Sequence, residues 1–190
     1  MIKKLDAQTL KDLYEREMKD TFPRAELKPL KAMLRMQADG HYDALGYYDD
    51  ETGALLAYAC TCTAGTPVLM DYLAVVASHR GEGLGSRFLS AIMEAKDLYP
   101  AIMLEIEAVD DALDDDDRAT RERRQRFYER LGFVRTRTEA HVFGEHYWVL
   151  TSDPARESVR EAMEKIYHYM VPEEDAYANN VRIWDEELLT

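Results

Sequence analysis

The chain has 190 residues, 46% of them hydrophobic, enough for a globular domain with a sizeable core and too many for a disordered segment. Its formal charge is −13, from 37 acidic against 24 basic residues, which opposes nucleic-acid binding in the absence of a basic patch. No apolar run approaches the roughly 18–20 residues of a bilayer span, and polar residues follow Met1 too soon for a signal peptide. A cytoplasmic protein that binds neither nucleic acid nor membrane is expected.

Ile2 to Asp6 reads as a short strand, and Ala7 to Lys19 carries Leu10, Leu13, Tyr14 and Met18 at helical spacing. Pro23 opens a second helix-like stretch, continued by Pro29, Leu30, Met33, Leu34 and Met36 and stopped at Asp39-Gly40. Tyr42 to Tyr48 and Ala54 to Thr63 form a hairpin across Asp49-Asp50-Glu51-Thr52-Gly53. Val68 to Val76 is a third strand, and Ser86 to Ala95 a helix with Phe88, Leu89, Ile92 and Met93 on one side.

Ala101 to Val109 has the character of a buried strand, interrupted only by Glu105 and Glu107. An acid-rich loop, Asp110 to Asp117, leads to a basic helix, Ala119 to Leu131, that Gly132 can cap in the left-handed conformation. Phe133 to His141 and Glu145 to Leu150 make a last hairpin around Gly144. Pro154 then starts a separate helix with Val159, Ala162, Met163, Ile166 and Met170 on one face, followed by a tail, Val171 to Thr190, that reads as a packed extension. This order predicts an α+β fold. The division expected is a domain over 1–150 and a C-terminal helical extension over 151–190, packed on that domain or, alternatively, on a partner in a homodimer.

Cys60 and Cys62 lie two apart on one strand, a poor geometry for a disulfide, and no further ligands at matching spacing suggest a metal. They are expected to be reduced, buried thiols. None of the five histidines shows ligand spacing, and no metal is expected.

The turn Arg80-Gly81-Glu82-Gly83-Leu84-Gly85-Ser86 joins a strand end to a helix start. Such a turn aims unpaired backbone N–H groups at one point, where the helix dipole also favours an anion, and glycines let a diphosphate reach the backbone. A phosphate-loop motif requires Lys and then Ser or Thr after its last glycine, whereas Ser86-Arg87 follows here. The dinucleotide fingerprint fails by one residue at its third glycine, although Glu105 lies about 20 positions on as that fingerprint asks. A nicotinamide-dependent oxidoreductase is therefore the lesser reading.

Arg80 to Gly85 resembles the R/Q-x-x-G-x-G/A diphosphate loop of the GCN5-related N-acetyltransferase (GNAT) family at every defined position. Phe127-Tyr128-Glu129-Arg130-Leu131-Gly132-Phe133 is similar to that family's F-Y-x-x-x-G-F helix end, and Phe22 to Pro29 is similar to a segment of bacterial members. The resemblance covers Ile2 to Leu150. It implies a mixed, mostly antiparallel sheet flanked by helices, and acetyl-coenzyme A as acyl donor. It also implies a small-molecule or peptide amine as acceptor, attacking directly in a ternary complex. By the same resemblance Arg80, Gly81, Gly83, Leu84, Gly85 and Ser86 hold the diphosphate, Leu73, Ala74 and Val75 line the pantetheine arm, and Tyr128 protonates the departing thiolate. Two positions depart from the family: Glu82 stands where a basic residue is common, and Arg121 where many members carry asparagine.

Attack by an amine requires a base, since an ammonium of pKa about 10.4 cannot attack. Glu105 and Glu107 fall on one strand face by period-two alternation, either as an exposed face with partner arginines or as an acidic wall of the acceptor site. Glu105 is the candidate base, with Glu107 and Glu26 as acceptor-binding candidates. The alternative to an enzyme is a non-catalytic coenzyme A-binding or interaction module of the same fold.

Overall fold

The structure, a computed structural model, describes residues 1–24, 26–155 and 159–186. The chain forms two compact units, Met1–Ala64 with Met70–Glu94 and Gly65–Leu69 with Ala95–Thr190. Both combine strands with helices, so the fold class is α+β as expected.

In the first unit the strands follow one another in the order β1 (Ile2–Lys4), β2 (Tyr42–Tyr48), β3 (Leu55–Cys62) and the part of β4 (Val68–Val75) from Met70 on. The β2–β3 hairpin is antiparallel, with Leu45 opposite Ala59. Its turn is organised by Asp49, whose Oδ1 accepts the Thr52 N–H at 2.7 Å, the side-chain turn chemistry that the sequence signals. Helix α1 (Ala7–Leu13) starts at Asp6, which accepts the Thr9 N–H at 2.8 Å, passes through a π-helical turn, Tyr14–Met18, and ends in α2 (Lys19–Thr21). Leu10, Met18, Met33 and Met36 are completely buried, the last two on α3 (Leu30–Ala38). The helix-like stretch from Pro23 is thereby corrected: helix begins only after Pro29. The residue before a proline is driven out of the helical region, so Lys28 cannot join it. Residue 25 lies outside the described residues. Helix α4 (Leu84–Glu94) buries Phe88 and Leu89 and starts two residues earlier than its apolar pattern indicates.

The second unit orders its strands β5 (Ile102–Glu107), β7 (Glu145–Thr151), β6 (Val134–Val142) and β8 (Val181–Asp185), with each of these pairs antiparallel. Helix α5 (Asp115–Arg130) begins four residues before the expected start, because part of the acid-rich loop is its cap. Asp114 accepts the Asp117 N–H at 2.8 Å while Asp117 accepts the Leu113 N–H at 3.0 Å, a reciprocal pair that satisfies two end donors. Asp115, Asp116 and Asp117 in the first turn also complement the positive end of the helix dipole.

The extension contains α6 (Val159–Met170), α7 (Glu174–Asn180) and a strand the sequence reading does not anticipate, β8. Residues 156–158, where the helix expected from Pro154 would begin, and 187–190 lie outside the described residues. Helix α6 buries Val159, Met163, Ile166, Tyr167 and Met170, and complete burial of one such aliphatic side chain contributes about 1.5–3 kcal/mol. Strand β8 pairs with β6, placing Trp184 opposite Glu139. Trp184 stacks on His146 at 5.5 Å between centroids, and the two ring nitrogens of His146 lie 2.8 Å from Asp111 and 3.0 Å from Glu139. Among the described residues no helix is long and apolar enough to cross a membrane.

Candidate active site

In the first unit, β4 runs into a single turn of 3-10 helix, Ala77–His79, and then into the glycine turn. Gly81 and Gly83 have φ of +89° and +71°, values that favour glycine, and a Cβ at either would meet nothing within 4 Å. The obligation for glycine is therefore conformational, with open space left above the backbone. Leu84 starts the 11-residue α4, so the N–H groups of its first turn are not used by the helix itself. Unused N–H groups at a helix start favour an anion.

The side chains around the turn face outwards. Arg80 is exposed, and its Nε donates to the Val75 carbonyl at 3.3 Å. Arg87 donates to the Glu82 carbonyl at 3.1 Å and so braces the loop from the helix. Glu82 has 56% of its side chain exposed, with His79 Nδ1 at 3.7 Å, so its carboxylate points to solvent and leaves the backbone cradle clear. Leu73, Ala74 and Val75 are half-buried at the end of β4.

Glu26 is exposed, in the segment between α2 and α3 that a polar cluster secures. The Tyr72 hydroxyl donates to the Glu26 carbonyl and accepts the Lys28 N–H, both at 2.8 Å. Asp71, with 4% of its side chain exposed, accepts Lys28 Nζ at 2.6 Å and the Tyr42 hydroxyl at 2.5 Å. Burial, with the Asp71 charge second, raises the Tyr42 and Tyr72 phenols well above their ordinary value, so both remain donors. Sequence reasoning missed Asp71, although a lone acid in the apolar run Val68–Val75 is a usable signal. Cys60 and Cys62 are free and buried, and burial pushes the Cys62 thiol up to about 11, leaving it a poor nucleophile at neutral pH. A cleft of about 380 Å³ lies in this unit among Lys4, Leu34, Gln37 and Asp43, and none of residues 73–86 lines it.

In the second unit, the end of α5 explains the F-Y-x-x-x-G-F pattern. Gly132, at φ +88°, donates to the Glu129 carbonyl at 3.0 Å, and Phe133 donates to the Tyr128 carbonyl at 3.2 Å. These are the two bonds of a Schellman cap, and its hydrophobic contact is made by Phe133 edge-on to Tyr128, centroids 5.8 Å apart. Phe127 packs edge-on to Tyr128 from the other side at 5.0 Å. The ring of Tyr128 is thus fixed by both aromatics of its own motif. Burial raises its phenol above the ordinary tyrosine value, which the Arg124 charge partly offsets. Among the described residues, nothing hydrogen-bonds the Tyr128 hydroxyl.

Glu105 and Glu107 do share a face of β5, but they have different partners. Glu107 pairs with Arg124 of α5. Glu105 accepts the Tyr167 hydroxyl of α6 at 2.7 Å. Arg121 donates to the Ala108 carbonyl at 2.7 Å and pairs with Asp117 at 3.0 Å, so it fastens the start of α5 to the end of β5. Arg124 and Tyr167 escaped sequence reasoning. Arg124 is one of several arginines on α5, and Tyr167 sits beside the apolar positions of α6 and looks like one more of them.

The profile of the acetyltransferase (GNAT) domain matches residues 41–135, and the chain belongs to this family. A GNAT-family protein from Bacteroides thetaiotaomicron has a similar structure, with a TM-score of 0.69 at 15% identity over 90% of this chain and 97% of its own. An aminoglycoside 6'-N-acetyltransferase solved with coenzyme A is similar at a TM-score of 0.54 and 16% identity, over 80% of this chain and 95% of its own. A variant of the spermidine N-acetyltransferase SpeG from Vibrio cholerae gives 0.58 and 10%, over 80% and 91%. No curated protein sequence matches the chain.

Proposed function

We propose that the chain is a cytoplasmic acetyl-coenzyme A-dependent N-acetyltransferase that acetylates a primary amine by direct attack in a ternary complex. The observation that carries this reading is the left-handed pair Gly81 and Gly83 opening α4 with a clear backbone cradle, in a chain of the GNAT family. One of the similar structures is an acetyltransferase with coenzyme A bound, which agrees with it.

The N–H groups from Gly81 to Ser86 and the charge of Arg80 would hold the diphosphate, and Leu73, Ala74 and Val75 the pantetheine arm. Acetyl-coenzyme A supplies an activated acyl carbon and a thiolate leaving group. Glu105 takes the proton that the attacking amine must lose, directly or through one water. Tyr128 keeps its proton at neutral pH because burial raises its phenol, and gives that proton to the thiolate as the carbon–sulfur bond breaks. One C–N bond forms and one C–S bond breaks while an ammonium acceptor loses two protons. One of these matches the proton that Tyr128 gives to sulfur and restores it through solvent, and the other leaves to solvent by way of Glu105. Glu26 would contribute negative charge to the acceptor side, and Glu107, paired with Arg124, would line it. In this account residues 1–150 are the catalytic domain.

The test is thiol release from acetyl-coenzyme A against a panel of polyamines, aminoglycosides, amino acids and peptide N-termini. The reading expects one class to stimulate release and to appear acetylated by mass spectrometry. Coenzyme A binding with no stimulation by any amine would point instead to a binding module.

A further inference from the structure

Tyr167 lies on α6, beyond the residues 41–135 that the family profile matches, yet it reaches the carboxylate read above as the base. Its hydroxyl donates to Glu105 Oε2 at 2.7 Å across 62 positions of sequence, from a side chain only 2% exposed. The helix that carries it is closely seated. A Cβ on Gly65 would stand 3.0 Å from Ile166 Cγ1 and 3.2 Å from the Ala162 carbonyl, closer than most side-chain contacts, so a larger residue here would push on α6. Ala162, Met163 and Ile166 are buried around the same turn. A phenol held by so packed a helix cannot move away from its acceptor without disturbing several neighbours.

We propose that Tyr167 is a positioning residue for Glu105, and that through it the C-terminal extension sets the orientation and basicity of the catalytic carboxylate. The proposal rests on the reading of Glu105 as the proton acceptor. A buried hydroxyl donated to a carboxylate favours the ionised form and fixes one rotamer. Glu105 then stays ionised, and able to accept a proton, to a lower pH than it would alone. Among the described residues, Glu107 on the same strand face pairs with Arg124 of α5, and Arg121 of that helix pairs with Asp117. Strand β7 opposes Glu105 with the apolar Val149. Tyr167 is thus a neutral donor to Glu105, as Arg124 is a charged one to Glu107.

The experiment measures kcat/KM against pH for the wild type, Tyr167→Phe and Glu105→Gln, with the amine that best stimulates thiol release. Tyr167→Phe keeps the ring and its packing and removes only the donor. Its acid limb is expected to rise by about one pH unit, about a tenfold loss below the limb, with KM for acetyl-coenzyme A unchanged. Site-specific 3-fluorotyrosine at the same position, a stronger donor of nearly the same shape, should lower the limb, and it keeps the test open if the Phe variant folds poorly. An acid limb lost in Glu105→Gln but unmoved in both Tyr167 variants overturns the proposal alone. An acid limb unmoved in Glu105→Gln overturns the reading of Glu105 itself, and the proposal falls with it.

Discussion

In the proposed function the glycine turn at 80–86 binds through its backbone, whereas β5 works through side chains that distant residues hold in place. Replacing Arg80, Glu82 or Arg87 alters charge around the turn, but its shape resides in Gly81 and Gly83, because φ values of +89° and +71° exclude most other residues at low cost. On β5 the backbone is an ordinary antiparallel ladder with β7, and the distinction between two identical carboxylates comes from what touches them. Arg124 pairs with Glu107, whereas the Tyr167 hydroxyl donates to Glu105. On that proposal the cradle is written locally, within seven residues, whereas the two acids are told apart only by the fold.

The largest expected effect is that of Tyr128→Phe. Loss of a general acid should lower kcat by about 10²–10⁴-fold while leaving KM for acetyl-coenzyme A nearly unchanged. Because burial raises the phenol above its ordinary value of 10.0, the wild-type enzyme should hold its rate to the alkaline side of pH 10 before this group deprotonates. Wild-type turnover in the variant would confine Tyr128 to packing against Phe127 and Phe133.

Asp71→Ala should destabilise the protein by about 3 kcal/mol in urea unfolding, the low end for breaking a buried pair, since Lys28 reaches solvent. It would also loosen the segment from Glu26 to Lys28 and raise the acceptor KM. If the acceptor KM stays unchanged in folded protein, Glu26 has no part in acceptor binding.

Gly83→Val forces a β-branched residue to φ near +71°, a strain of about 1–3 kcal/mol. The turn would reshape, and KM for acetyl-coenzyme A should rise about tenfold or more, with little change in the acceptor KM. Equal loss for both substrates would argue for general misfolding over a diphosphate cradle. Gly132→Ala is the mildest change, costing about 1–2 kcal/mol of stability through its left-handed cap position. Because that cap sets Phe133 on Tyr128, kcat should fall slightly along with Tm.

Local chemistry made much of this legible from sequence. The hairpin at Asp49–Gly53, the strand before the glycine turn and the cap at Gly132 each rest on turn residues whose conformational needs are known in isolation. Proline misled at Pro23, where a residue that can open a helix instead opens an isolated turn, its carbonyl accepting the Glu26 and Leu27 N–H groups at 3.0 Å. The acid run at 110–117 read as a loop because its negative charges resemble solvated surface, whereas Asp114 caps the start of α5 and Asp117 accepts the Leu113 N–H just before it. Strand β8 and the Tyr167–Glu105 bond could not be read, since both depend on pairing between residues about 40 or more positions apart. No local pattern distinguishes a tyrosine that packs from one that also donates a hydrogen bond.

The most direct test of the central claim is calorimetric titration of the wild-type protein and Gly83→Val with coenzyme A and, separately, with NAD. The account predicts saturable binding of coenzyme A by the wild type, no binding of NAD, and at least tenfold weaker coenzyme A binding in a Gly83→Val protein that retains its fold by circular dichroism. Undiminished coenzyme A binding in that variant, or a preference for NAD, would contradict it.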